Sequence, residues 1–459
     1  MAVLDSSQPP LTSGRILRTW WPLAASWLLM SIELPALTAV VARLPNPEIN
    51  LAAYGGVVFP LSLIIESPII MLLAASTALS RDWASFVRIR RFMMRMGALL
   101  TALHLLVALT PLYYVVVEGI IGAPPEIVEP ARIGLILMTP WTWSIAYRRF
   151  HQGVLIRFDH SRVVSAGTIV RLSADGLVLL IGYLIGTIPG IVVGAAAVAM
   201  GVMSEAAYVG LRTRPVIQTE LRSAPPVTPA LTFREFLAFY IPLALTSLIN
   251  LLAQPIGSAA ISRMPLALES LAIWPVASGL GFLFRSPGVA YNEAVVALLD
   301  APHAPAQLRR FAGRLALVTT LLLALVVTTP LAYVWLRTIS ALSPELTALA
   351  RPSLWLLLPM PALAVLQSWY QGAILYSRRT RGITEAIVVF LVSSALVMWA
   401  GVAWGQIPGL RVGLAGLAAA MLTQTVWLWV RSRPAMRALH ARAQQAPLAP
   451  AHGAESPAR

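Results

Sequence analysis

Ionisable residues fall inside apolar stretches of this 459-residue chain, among them Glu33, Glu66, Asp175, Arg285 and Glu293. A charge within a membrane-spanning helix costs roughly 2.5 to 3.5 kcal/mol unless paired or hydrated, so such residues mark ion or substrate paths by default. The carboxylates of Glu33 and Asp175 suit coupling to a proton or cation, and the guanidinium of Arg285 suits an anion. Arg171 lies one turn before Asp175, so a local ion pair on one helix face is the competing reading for that pair. Glu293 lies two turns beyond Arg285 and close enough to a span end to snorkel.

Neutral polar side chains also enter these stretches, at Asn250, Gln254 and Asn292. They are placed either to line a substrate cleft or to bond one helix to another. Pro35 and Pro255 each free a backbone carbonyl one turn earlier, which makes them hinge candidates or plain packing kinks. Pro68 and Pro287 complete the hinge set. His104 reads as a hydrogen-bonded packing residue, and the positive-inside rule already accounts for Arg148 and Arg149.

The elements that carry these residues come in two copies. Glu66-Ser67-Pro68 recurs as Arg285-Ser286-Pro287, 219 positions later (285 minus 66). The same shift carries Arg90-Arg91-Phe92 onto Arg309-Arg310-Phe311, Gln152-Gly153 onto Gln371-Gly372 and Ile188-Pro189-Gly190 onto Ile407-Pro408-Gly409. Before the Ser-Pro pair the shift is 220, as for Pro22 with Pro242, Pro35 with Pro255 and Arg43 with Arg263 (263 minus 43). The matches fall on Pro, Gly, Gln and Arg, which set backbone geometry or charge, and so indicate two homologous halves. Matched positions are those a pseudo-two-fold axis brings opposite one another, so Glu66 and Arg285 are expected to pair across a central cleft as a gate.

Composition then sets the class. Hydrophobic residues make up 58% of the chain and charged ones 12%, with a mean hydropathy of +0.75; that is a polytopic membrane protein rather than a soluble globule. All basic residues are Arg, so no P-loop Lys exists, and with no Cys there are no thiolate metal sites or nucleophiles. No metalloprotease or serine-hydrolase motif occurs. Neither enzymatic activity, catalytic or metal residues, nor a cofactor is expected, and the net charge of +15 reports topology rather than nucleic-acid binding.

Twelve spans are expected, near 17–42, 51–79, 93–117, 131–152, 164–186, 191–211, 236–262, 270–299, 313–336, 352–376, 383–404 and 410–430. Arginines follow every even-numbered span, which puts both termini in the cytoplasm. An even number of spans per half makes the repeats parallel, about an axis along the membrane normal. The expected organisation is a cytoplasmic segment 1–16, an amino-terminal lobe 17–211, a Pro-rich cytoplasmic linker 212–235, a carboxy-terminal lobe 236–430 and a disordered cytoplasmic tail 431–459.

Two parallel six-helix halves resemble the MOP flippase superfamily, with its MATE exporters and lipid flippases. Ala53-Tyr54-Gly55, Ser67-Pro68, His151-Gln152-Gly153, Pro242-Leu243-Ala244-Leu245, Ser262-Arg263 and Trp274-Pro275-Val276 are similar to stretches of the progressive ankylosis family. The resemblance implies V-shaped lobes, a cleft lined by spans one, two, seven and eight, and alternating access. It also places Glu33 and Asp175 where MATE proteins hold the acids of the amino-terminal cation site, although Glu33 stands where an Asp is usual. Progressive ankylosis proteins are linked to export of pyrophosphate, nucleotides or citrate. The leading expectation is therefore a monomeric secondary transporter of the bacterial inner membrane that exports a small organic or phosphate-bearing anion, with a proton or sodium as a coupling ion. The alternatives are a proton- or sodium-coupled multidrug cation exporter, a flippase for lipid-linked precursors and a non-transporting membrane scaffold.

Overall fold

The computed structural model describes residues 11–299, 301, 304–377 and 381–445; most of the expected segment 1–16 and residues 446–459 of the expected tail lie outside that set. Within it the chain is helical. In chain order the principal helices are α1 Ser13–Val41, α2 Pro47–Leu79, α3 Trp83–Leu109, α4 in two pieces, Pro125–Leu137 and Thr139–Arg157, α5 Ser161–Ile185, α6 Gly190–Leu221, α7 Phe233–Ile261, α8 Ala267–Leu298, α9 Ala304–Thr328, α10 Pro344–Tyr376, α11 Arg381–Trp404 and α12 Gly409–Leu439. Among the described residues, eleven of these are long and apolar enough to cross a membrane.

The exception is α4, the expected fourth span over 131–152. Its length is sufficient, but Arg132, Arg148, Arg149 and Arg157 lower its apolar character. Arg148 is buried against the rest of the amino-terminal half, so its charge faces protein rather than lipid, while Arg157 is exposed at the helix end. Two boundaries also move. The helical conformation of α6 continues to Leu221, ten residues into the expected linker, and that of α12 continues to Gln445, through the first part of the expected tail.

Matched residues of the two halves adopt matched conformations. The hinge prolines break their helices at the same place: α1 is interrupted at Ile32 and α7 at Leu252, next to the carbonyls that Pro35 and Pro255 leave without a donor. Ser67 Oγ and Ser286 Oγ donate to the carbonyls of Ile64 and Leu283, freed in the same way by Pro68 and Pro287. Asn46 and Leu266 both take left-handed backbone (φ 50° and 55°), as do Gly186 and Gly405 (71° and 68°). A tyrosine–arginine bond, Arg132 to Tyr114 at 2.8 Å, recurs as Arg351 to Tyr333 at 2.9 Å.

The halves interlock through α1, α2, α7 and α8. The first part of α1 crosses to the carboxy-terminal half, where Ile16, Trp20 and Ala24 share a core with Ala290, Tyr291 and Ala294. Trp20 Nε1 donates to the Pro287 carbonyl at 2.9 Å. Its matched residue, Tyr240 of α7, donates through its hydroxyl to the Pro68 carbonyl and packs with Phe236 on Phe92 of α3. Closer to the axis, a Cβ on Gly55 would come within 2.8 Å of the Pro275 ring, so glycine is what lets these two matched residues meet.

Candidate functional site

The amino-terminal half holds a connected cluster of charges. Pro35 breaks α1 and leaves Glu33 on the first turn of its second piece. From there a Glu33 carboxylate oxygen lies 2.7 Å from Arg171 Nη2 of α5. Arg171 Nε is 3.6 Å from Glu205 of α6, the same acid that meets Arg148 of α4 at 2.5 Å. Gln152, one turn after Arg148, donates to the other Glu205 oxygen at 2.9 Å. Glu205 is fully enclosed; two guanidiniums and an amide compensate its charge, the condition under which a buried carboxylate is tolerated.

Asp175 sits beside this cluster without joining it. Both of its carboxylate oxygens are enclosed and lack a hydrogen-bond partner. Gly201 of α6 makes room for it, since a Cβ there would fall 1.6 Å from Asp175 Oδ1. Arg171 therefore pairs with Glu33 and Glu205 across helices, not with Asp175 one turn away on its own.

The structure does not join Glu66 to Arg285. Glu66 is buried with Oε2 unpartnered, and Arg149 and Arg148 of its own half act on its charge. Arg285 is half-buried and points at α12, where Nη1 meets the Met421 sulfur at 3.4 Å, with the guanidinium carbon 5.9 Å from the centre of the Phe282 ring. Matched residues of a repeat face equivalent directions relative to their own half, so these two point into separate helix bundles. A matched pair that does meet is Gly55 with Pro275, about two turns from the start of α2 and α8.

Asn292 and Glu293 do come together. With Trp27, Val289, Ala364, Gln367, Ser368 and Gln371 they line a cavity of about 220 Å³ between α1, α8 and α10. Asn292 donates to the Ser368 carbonyl at 3.2 Å, and Trp27 Nε1 lies 3.5 Å from Glu293. Gln367 reaches the Met421 carbonyl and the Thr425 hydroxyl, which links the cavity wall to the residue that touches Arg285. Asn250 and Gln254 are exposed on α7, outside this group.

Glu205 is not among the expected site residues, and Arg148 is expected only as a topology signal. The clue lay in their combination: an acid inside an apolar span, together with Arg-Arg inside another span of the same half. His104 is a packing residue as expected, bridging Thr142 and the Leu135 carbonyl at 2.9 Å each.

No family model and no curated protein matches this chain; solved structures do. An inward-facing multidrug-resistance MATE transporter of the MOP superfamily aligns over 92% of this chain and 99% of its own, at 13% identity and a TM-score of 0.62. The fold is that of the MATE transporters. A Vibrio cholerae MATE transporter in its bent form aligns over 93% and 98% (15% identity, TM-score 0.58). A Pyrococcus furiosus MOP superfamily transporter, described as having a binding pocket of reversed polarity that suggests a different function, aligns over 94% and 100% (16% identity, TM-score 0.57). Two MATE-like halves of this kind are parallel repeats.

Proposed function

We propose that this protein is a secondary active transporter that exports a small organic or phosphate-bearing anion by alternating access of its two halves. The observation that carries the anion reading is Arg285. Its Nε is enclosed and has no hydrogen-bond partner, Nη1 reaches only a thioether, and no acid lies within ion-pair distance among the described residues. A guanidinium held that way in a spanning helix is incomplete without an anion, which its planar fork binds in bidentate fashion. The resemblance of several stretches to the progressive ankylosis family supports the same class, in which pyrophosphate, nucleotides and citrate are cargo.

Coupling falls to the amino-terminal half. Asp175, unpaired beside the Glu33–Arg171 pair, is the group suited to take up a proton or sodium ion. On this reading the chain ends are cytoplasmic, the membrane is the bacterial inner membrane and the transporter is a monomer. A second reading, export of organic cations, draws on the carboxy-terminal cavity, where Glu293 and the Trp27 ring offer a carboxylate and a π-face.

Comparing metabolites in the medium of overexpressing and deletion cells tests the anion reading. Accumulation of a multivalent organic or phosphate-bearing anion in the overexpressing culture, and its depletion in the deletion, is expected. A change confined to cationic compounds would favour the second reading.

A further inference from the structure

At the face opposite the start of α1 and the end of α12, the two halves hold each other through a reciprocal pair of arginines. Arg43 follows α1 and Arg263 follows α7, at matched positions of the repeat. Arg43 Nη1 donates to the Ile339 carbonyl at 2.8 Å, and Nη2 donates to the Thr338 carbonyl. Arg263 mirrors it on the other half. Its Nη1 donates to the Ile121 carbonyl at 2.6 Å, and its Nη2 donates to the Ile120 carbonyl at 2.7 Å and reaches Gly119 at 3.5 Å. Each arginine also donates to a carbonyl of its own helix, Ala39 or Ala259, at 2.6 Å.

The acceptors explain why arginine stands there. Residues 115–121 and 334–339 are single wide helical turns that end the short helices after α3 and α9. Their last carbonyls have no onward donor within the helix, and a helix C-terminus favours a cation. A guanidinium offers several coplanar donors, enough to bridge the end of its own helix to the end of the other half's. Gly122, at φ +71°, lies flat against the Arg263 guanidinium, where a Cβ would come within 3.2 Å of its central carbon. No acid takes part in any of these contacts, so the bonds can break into water without stranding a buried carboxylate.

We propose that Arg43 and Arg263 are the gate-positioning residues of the transport cycle: a two-fold-related arginine–carbonyl latch that holds the far face shut and must release in full for that face to open. Trp20 and Tyr240 form the corresponding contacts nearer the starts of α1 and α7, through aromatic donors to the Pro287 and Pro68 carbonyls. The two ends are thus held by different chemistry, and a perturbation can be aimed at one of them.

The chain has no cysteine, so spin labels can be placed at Glu126→Cys and Glu345→Cys, exposed matched positions on the far face. Pulsed dipolar spectroscopy then reads the distance between the halves there. In Arg43→Gln/Arg263→Gln the long-distance population is expected to rise about tenfold or more, because several charge-assisted hydrogen bonds are lost. Trp20→Phe/Tyr240→Phe, as a control, is expected to leave that population unchanged. Lysine keeps the charge but not the fork, so Arg43→Lys and Arg263→Lys should each lengthen the distance by less than the glutamine pair, and in transport assays should change kcat more than KM. An unaltered distance distribution in the double glutamine variant would overturn the latch. If that variant does not accumulate, the two lysine variants decide in the same way: a lengthened distance supports the latch and an unchanged one overturns it.

Discussion

Arg148 of α4 and Glu205 of α6 form a 2.5 Å ion pair deep in the amino-terminal half, with both side chains almost wholly enclosed. Because Glu205 also holds Gln152 and lies near Arg171, it fixes α4, α5 and α6 relative to one another. Removing one charge leaves its partners buried and uncompensated. Glu205→Gln is expected to destabilise the protein by on the order of 3 kcal/mol, and Arg148→Met similarly. The double variant should cost less than the sum of the two, and thermal unfolding of the purified protein in detergent checks all three.

Glu33 and Asp175 differ in that only Glu33 has a cation in contact. If this neighbourhood couples transport to an ion, Asp175→Asn should abolish the dependence of transport on the proton or sodium gradient. Glu33→Gln frees Arg171 toward Asp175 and should weaken that dependence rather than remove it. Should both variants retain the parent's gradient dependence, coupling lies elsewhere.

Close packing of α2 on α4 passes through Gly153. A Cβ there would come within 2.6 Å of the Leu73 carbonyl oxygen and 2.9 Å of the Thr77 nitrogen, both backbone atoms that cannot swing aside. Gly153→Ala should therefore cost roughly 1 to 3 kcal/mol. Gly176→Ala is the control, since nothing lies within 4 Å of its added methyl and alanine is the better helix former. Melting temperatures should fall for the first variant and hold or rise for the second.

Asp82 ties the linker to the bundle. One carboxylate oxygen caps α3 through Ser85 N at 2.9 Å, and the other accepts from Val227 N at 3.0 Å. Burial pushes this carboxyl up, but the hydrogen bonds from Ser85 and Val227 outweigh it and hold the group below the usual Asp range. A depressed folded-state value means the stabilisation is complete above the unfolded value of about 3.9, and fades as pH falls through the lower, folded one. Proteolysis within 222–231 should thus be steady from pH 7 to 5 and faster in Asp82→Asn throughout. The difference between parent and variant should close only in acid below about pH 4.

Much of this fold was legible because the repeat is carried by residues that dictate backbone geometry. Pro35 with Pro255, and Gly186 with Gly405, fix breaks and left-handed turns that recur in both halves. Charge partners were less legible, because they depend on rotation about each helix axis. Glu66 and Arg285 are matched, yet each faces its own bundle, and Arg171 reaches across to Glu33 and Glu205 in preference to Asp175 on its own helix. Arg43 and Arg263 were visible as a matched pair, but their carbonyl acceptors, at the ends of wide helical turns, carry no side-chain signature.

Efflux from proteoliposomes shows whether Arg285 receives an anionic substrate. Vesicles containing the purified protein are loaded in turn with labelled pyrophosphate, citrate, a nucleotide or a cationic dye, and efflux is followed for the parent and for Arg285→Gln. Efflux of at least one of the anions is expected, with KM raised tenfold or more in Arg285→Gln through loss of a charge-assisted contact, and no efflux of the dye. Efflux of the dye alone, or anion efflux with the same KM in Arg285→Gln, would contradict it.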